Sequence, residues 1–488
     1  MKIKLFFILI IFTMVLALQA NATVILISSF EDLCKIGQEP DYPLNGDYEL
    51  TQNIDASPSK NMNDGRGFIP IGTTRTNAFI GSFNGNGHII KGLYINGEWD
   101  VGLFGVVEGG KIQAVGLEDV LISGELGVGS LVGTLIGGTV TACYSTGEIR
   151  AYRDNVGGLI GNSSNSTIVD CYSTARVLGG VIGGTNDMSM NAGGLVGAFT
   201  DGTITNCYFT GTVEQYFDIA LSAVGGLVGS LSGSTITRSY STGNVYGFIS
   251  VGGLVGGVNN SQITNCYSNG AVIGLEHVGG LVGTAYIERN SPANSIIITN
   301  CYSTGYVSVI DHDIDYNIDA YIGGLVGLFS DGGTVTNCFW NIETSGQTIS
   351  AGGGEGHTTA NMKRQITYAG WNFSTIWQID EGEDYPYLLS LGKTQTPTSV
   401  IESKISRSTT VAPVPLIIIK NKTLTIKSTP NSELQIRLFD MRGKTLFRFN
   451  TRGSGSNSFS LAKIPAGRYL IETKENGKRV GTVAIVLR

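Results

Sequence analysis

Charge is scarce in this 488-residue sequence: only 15% of residues are Asp, Glu, Lys or Arg. Histidine and tryptophan occur four times each and proline eleven times. With 42% hydrophobic residues, the low charge excludes an extended disordered chain. Glycine is abundant, at 69 residues, but lacks the every-third-residue period of collagen. The seven cysteines include no C-x-x-C pair, and His88, His277, His312 and His357 follow no repeat, which argues against zinc. Residues 416–488 hold 14 Lys/Arg and 4 Asp/Glu, whereas the rest holds 18 and 35. The body therefore lacks the cations that phosphate contacts require, and no nucleic-acid partner is expected. The basic tail reads as a solvated face. After the first 22 residues no apolar run reaches the ~20 residues of a spanning helix. Those 22 read as a signal peptide: Lys2 and Lys4, an apolar run from Leu5 to Leu18, then the small-x-small site Ala20-Asn21-Ala22.

What is present is a repeat. A glycine string recurs at 101–105, 129–133, 157–161, 193–197, 225–229, 252–256, 279–283 and 323–327, mostly as GGLVG. Each of the seven later strings is followed by a second one such as TITNCYSTG. A unit of roughly 27–36 residues with short β-branched runs and Gly/Asn/Ser corners suggests one coil of a solenoid. Three short strands per coil are expected, around VGGLVG, TITNCYS and the following G-x-V. Variable spacing between units places loops of different length at one corner. The fold class is all-β: a right-handed parallel β-helix followed by a small C-terminal β-sandwich.

Comparing units sorts side chains into columns. Ile112, Val140, Ile168, Ile204, Ile236, Ile263, Ile298 and Val335 form an aliphatic, inward column. Two residues on, Ala114, Ala142, Asp170, Asn206, Arg238, Asn265, Asn300 and Asn337 must meet water. Strict alternation would put both columns on one face, so a bend or bulge is expected between them. That returns the next column inward: Val115, Cys143, Cys171, Cys207, Ser239, Cys266, Cys301 and Cys338. Its tolerance of Val115 and Ser239 points to small buried groups, not to metal, disulfide or catalytic chemistry. Stacked strands also hold Cβ atoms about 4.8 Å apart, wider than the ~3.8 Å a disulfide favours. On this reading Cys207→Ala or Cys207→Val leaves folding nearly intact. The following column, Tyr144, Tyr172, Tyr208, Tyr240, Tyr267, Tyr302 and Phe339, is an aromatic ladder. It has two readings: a surface for sugars or a partner, or a buttress under a corner, which is favoured.

The G-L-x-G string followed by I-T-N-C-Y-S-T-G resembles the GLUG-motif repeat of bacterial secreted and surface proteins, over roughly residues 100–340. That resemblance implies an adhesin or a non-catalytic part of a surface protease, and brings no catalytic residue with it. Residues 23–100 are expected to hold an N-terminal cap and first coils, 101–340 the repeats, and 341–390 a closing cap. Ser29-Phe30-Glu31-Asp32 has capping-box spacing for a short helix. Trp371, Phe373, Trp377, Tyr385 and Tyr387 are candidates for a lid. Residues 391–415 read as a Thr/Ser/Pro linker. Residues 416–488, with FDMRGK and IPAGRYLI, resemble a type IX secretion C-terminal sorting domain. The resemblance implies a partner in the secretion machinery and a place outside, or on the outer surface of, a Gram-negative bacterium.

Catalysis on a β-solenoid would need paired carboxylates, or a cationic base with bound calcium. Asp154, Asp187, Asp201 and Asp218 fall in or near loops, unpaired by sequence. Asp311, Asp313 and Asp315 alternate as calcium ligands do, but the glycine and terminal glutamate of a calcium loop are missing. A solvated loop is the favoured reading, with calcium as the alternative and no other cofactor expected. The function expected is binding of an extracellular glycan, polymer or surface protein. A polysaccharide lyase or hydrolase is the alternative, and a structural spacer the third reading.

Overall fold

The computed structural model describes residues 24–180, 191–215, 222–287, 295–309, 321–330, 333–393 and, further on, strands between Leu416 and Leu487. The chain divides into two units, one reaching residue 399 and one holding 400–488.

The first unit is a parallel β-solenoid. Five successive coils, from Val156 to Val309, carry five short segments each, not three; in the two repeat coils before them the last two segments run together as Gly116–Gly124 and Tyr144–Ala151. In one coil they are Asn191–Gly193, Val196–Thr200, Thr203–Thr205, Tyr208–Phe209 and Thr212–Gln215. Every segment pairs in parallel with its counterpart in the next coil, for example Thr203–Thr205 with Thr235–Thr237 and Tyr208 with Tyr240. The first and second segments build two eight-stranded sheets. The third continues N-terminally through Lys111–Gln113, Ser82–Asn84, Asp47–Leu50 and Ile25–Ile27.

The extra breaks have a backbone cause. Ala114, Ala142, Asp170, Asn206, Arg238, Asn265, Asn300 and Asn337 all lie between φ 46° and 55°. Each makes a left-handed bend between the third and fourth segments, which supplies the turn the columns require. Asparagine tolerates this region better than most side chains, which accounts for its frequency there. The glycine string breaks for a second reason. A Cβ on Gly193, Gly225, Gly252 or Gly279 would overlap the carbonyl oxygen three residues on. Only a bare Cα lets the backbone fold that tightly between first and second segments.

The core is continuous. Leu131, Leu159, Leu195, Leu227, Leu254, Leu281 and Leu325 are fully buried, as are Val196, Val228, Val255 and Val282 beside them. A short helix, Phe30–Lys35, packs Phe30 and Leu33 against the first coils. Ser29 Oγ accepts from the Asp32 amide at 3.1 Å, and Asp32 accepts in return from Ser28 rather than Ser29. The second unit consists of two antiparallel sheets. One joins Leu416–Lys420, Thr423–Ser428 and Gly455–Ser460. The other joins Glu433–Asp440, Thr445–Arg452, Gly467–Glu475 and Lys478–Leu487.

Candidate functional site

The cysteines stand just after the left-handed bend. Cys143, Cys171, Cys207, Cys266, Cys301 and Cys338 are buried, and all seven cysteines are unpaired. They do more than fill space. Each thiol reaches the carbonyl two residues back, as Cys207 Sγ does to Thr205 at 3.2 Å. The sulfur of Cys207 also accepts the Cys171 amide at 3.4 Å, and Ser239 Oγ accepts that of Cys207 at 3.1 Å. The column thus serves backbone groups at the bend, which explains why serine substitutes for cysteine. Burial pushes the Cys143, Cys171 and Cys301 thiols well up, leaving them neutral. Cys34, outside the column, is raised to about 11 by burial and then by Glu31.

The tyrosines stack as parallel plates. Successive rings from Tyr144 to Tyr302 lie 4.7–5.0 Å apart and within 10° of parallel. Each inner ring spends both faces on its neighbours, and Gly116 sits against the outer face of Tyr144. Faces on which a sugar would stack are therefore occupied. Tyr144, Tyr172 and Tyr208 keep partly exposed edges, whereas Tyr240, Tyr267 and Tyr302 are buried. The cover is residues 359–391, which fold back along the flank of the solenoid rather than only closing its end. Trp377 packs on Tyr267 and Tyr302 and donates to Asn265 Oδ1 at 3.2 Å. Tyr302 donates to the Pro386 carbonyl at 2.7 Å, and Trp371 to that of Asn337 at 3.0 Å. Ser390 reaches as far back as Asn206.

The acidic candidates do not converge. Asp154 is half-buried, which raises its pKa, and it bonds to the Asn155 amide. Asp201 occupies a left-handed bend. Asp187, Asp218, Asp311, Asp313 and Asp315 lie outside the described residues. Glu148 and Glu214, two coils apart, are held by a cation from the coil between them: Arg176 bridges Glu148 at 3.1 Å and Glu214 at 2.9 Å. Among the described residues no three His, Cys, Asp or Glu side chains group to hold a metal. His277 meets Glu276 at 3.4 Å and His357 meets Glu355 at 3.3 Å, without a nucleophile between them.

Two surfaces stand out that the columns above did not single out. The third segments present two outward positions per coil. Over the seven coils from Thr139 to Thr336, eleven of these fourteen positions are threonine and none is charged. The signal was available in TVT, TIT and TIT, but exposed threonine also suits any strand. The other surface is a cleft of about 450 Å³ lined by residues 63–73 and 95–101. Trp99 stands in it 66% exposed, facing Ile69 at 46%. Asp100 turns through φ 49°, its carboxylate accepting from Thr134 at 2.5 Å; burial raises its pKa. Arg66 and Glu98 approach to 3.9 Å on the rim. Trp99 precedes the repeat strings, so no column marked it.

Residues 188–214, 220–246 and 249–273 match the GLUG motif, and 420–487 match the secretion system C-terminal sorting domain. Halomucin of Haloquadratum walsbyi is 40% identical over 95 residues, 18% of this chain and 1% of halomucin. A protein of Evansella cellulosilytica, provisionally described as a Gly-rich membrane protein, is 44% identical over 71 residues, 14% of this chain and 8% of that one. The chain thus spans a small fraction of either relative. Among solved structures, an IgA1 protease aligns with 78% of this chain and 26% of its own, at TM-score 0.43 and 19% identity. A Bacteroides ovatus protein provisionally described as an immunoglobulin A1 protease aligns with 76% of this chain and 94% of its own, at TM-score 0.36 and 18% identity. Neither likeness bears on what the chain does. No described helix is long and apolar enough to cross a membrane. The chain thus carries GLUG-motif repeats and a type IX secretion C-terminal sorting domain, and that domain marks a protein secreted by, or displayed on the surface of, a Bacteroidetes-type Gram-negative bacterium.

Proposed function

We propose that the protein acts outside the cell by binding, in the manner of an adhesin, and not by catalysis. Its ligand is an extended one: a glycan, a surface polymer or the surface of another cell. The observation that carries this reading is the threonine face from Thr139 to Thr336, uncharged across seven coils. Hydroxyl and methyl groups cost far less to desolvate than charges. Parallel strands repeat them about every 4.8 Å, so one weak contact recurs many times against a repetitive ligand. Recurrence converts weak contacts into avidity when geometry lets them engage together. Thr203→Lys with Thr235→Lys places two charges in the middle of this face without touching the core. Surface changes of this kind alter stability by about 0.5 kcal/mol or less. Retention of the full chain on polysaccharide matrices and bacterial cells is expected to fall at least about tenfold in this variant. Unchanged retention on every matrix that holds the parent chain would remove the face from the account.

A further inference from the structure

We infer that the Trp99 cleft is a binding site for a neutral pyranose unit of an extracellular glycan. It lies before the threonine face and does not depend on it. Three features argue for this occupant. First, Trp99 is exposed while Trp340, Trp371 and Trp377 are buried. An exposed indole leaves apolar area wet unless something covers it, and the C–H face of a sugar ring covers a flat aromatic while its hydroxyls stay solvated. The tyrosine ladder offers no such free face.

Second, the cleft joins that plate to hydrogen-bonding groups. Glu98 directly precedes Trp99 and Asn96 lies three residues before it, while Arg66, Ile69 and Thr73 also line the cleft. Arg66 and Glu98 are 74% and 66% exposed, and their 3.9 Å separation leaves both able to turn to a ligand. A volume of about 450 Å³ is within the usual range for small-ligand sites, and a mostly apolar wall with a few polar groups is their usual make-up.

Third, the site is held on rigid backbone. Trp99 and Val101 pair with Leu126 and Val128 of the next coil. On the facing wall Gly67 approaches Tyr94 so closely that a Cβ would overlap its carbonyl. The charges select the ligand class. Glu98 is matched by Arg66 and Asp100 by Arg75, which leaves no excess of cations, so a polyanion such as a uronate polymer is disfavoured and a neutral sugar favoured.

The test uses the full chain and its tryptophan fluorescence. Cello-, laminari-, manno-, malto- and chito-oligosaccharides are titrated, with iodide quenching as a second readout. Trp99 is the exposed indole, so a bound sugar shields it and shifts emission to the blue. At least one of these sugars is expected to give a saturable change. Trp99→Ala should weaken binding about tenfold or more, as loss of a central aromatic anchor does, while Trp99→Phe retains most of it. Thr203→Lys with Thr235→Lys should leave this titration unchanged, which separates failure here from failure of the threonine face. Should Trp99→Ala fold poorly, protection of the parent chain from iodide by the sugar still decides the matter. No saturable change with any sugar, binding indifferent to Trp99→Ala, or shielding by a leucine-rich peptide and by no sugar would each overturn the inference.

Discussion

Three residues carry the local logic of a coil: a glycine without room for Cβ, a residue in a left-handed bend, and the cysteine after it. Gly225→Ala would drive a methyl into the Val228 carbonyl. A loss of about 3 kcal/mol or more is expected, read from urea unfolding. Arg238 occupies its bend at φ 46° where most coils use Asn. Arg238→Asn should raise stability by about 0.5 kcal/mol, seen as a higher unfolding midpoint. At Cys207 the structure modifies the expectation from the sequence. Cys207→Ser should be nearly neutral, because Ser239 fills the same place. Cys207→Val would strip the Cys171 amide of its acceptor and should cost about 1 kcal/mol more than Cys207→Ser. The columns revealed which positions face inward and that a bend must separate two of them. They did not reveal the sulfur's polar duty, because Val115 tolerates its absence in one coil.

At the scale of the element, the ladder and its cover act together. Burial raises Tyr208 to about 12, with Tyr172 adding to it. Tyr144 reaches about 12 through burial and then Glu118, which accepts its hydroxyl at 2.9 Å. A pKa raised on folding means the neutral phenol is favoured in the native state. That stability is whole below the ordinary tyrosine value near 10 and drains away as pH rises from there through about 12. Tyrosinate absorbance should therefore lag the behaviour of free tyrosine and rise together with loss of β-structure by circular dichroism. Early ionisation of these rings in the folded chain would contradict their packing. Trp377→Ala should cost about 3–5 kcal/mol and open the 359–391 segment to protease before the coils. The aromatic content of this segment was legible as a lid. Its place was not, because a sequence names apolar residues without saying which flank of a solenoid they cover. The extra segments of the middle coils were hidden similarly, since a bend through one residue leaves hydrophobic spacing almost unchanged.

For the molecule as a whole, repetition made the fold readable and also hid part of the candidate site. Columns exist only where units can be compared, so the core from Val140 to Val335 could be traced from the letters alone. Trp99 precedes the repeat strings and stayed silent until the cleft around it was built. Leu254→Asp tests the core directly: an unpaired charge among buried leucines and valines should cost several kcal/mol and abolish soluble folded protein. The central claim concerns the surface: the solenoid binds and does not cut. The most direct measurement incubates the purified full chain with insoluble and soluble polysaccharides and scores, in one sample, protein retained and reducing or unsaturated ends released. The account predicts retention on at least one polymer with no ends released above the protein-free control. Ends released in proportion to protein and time would contradict it.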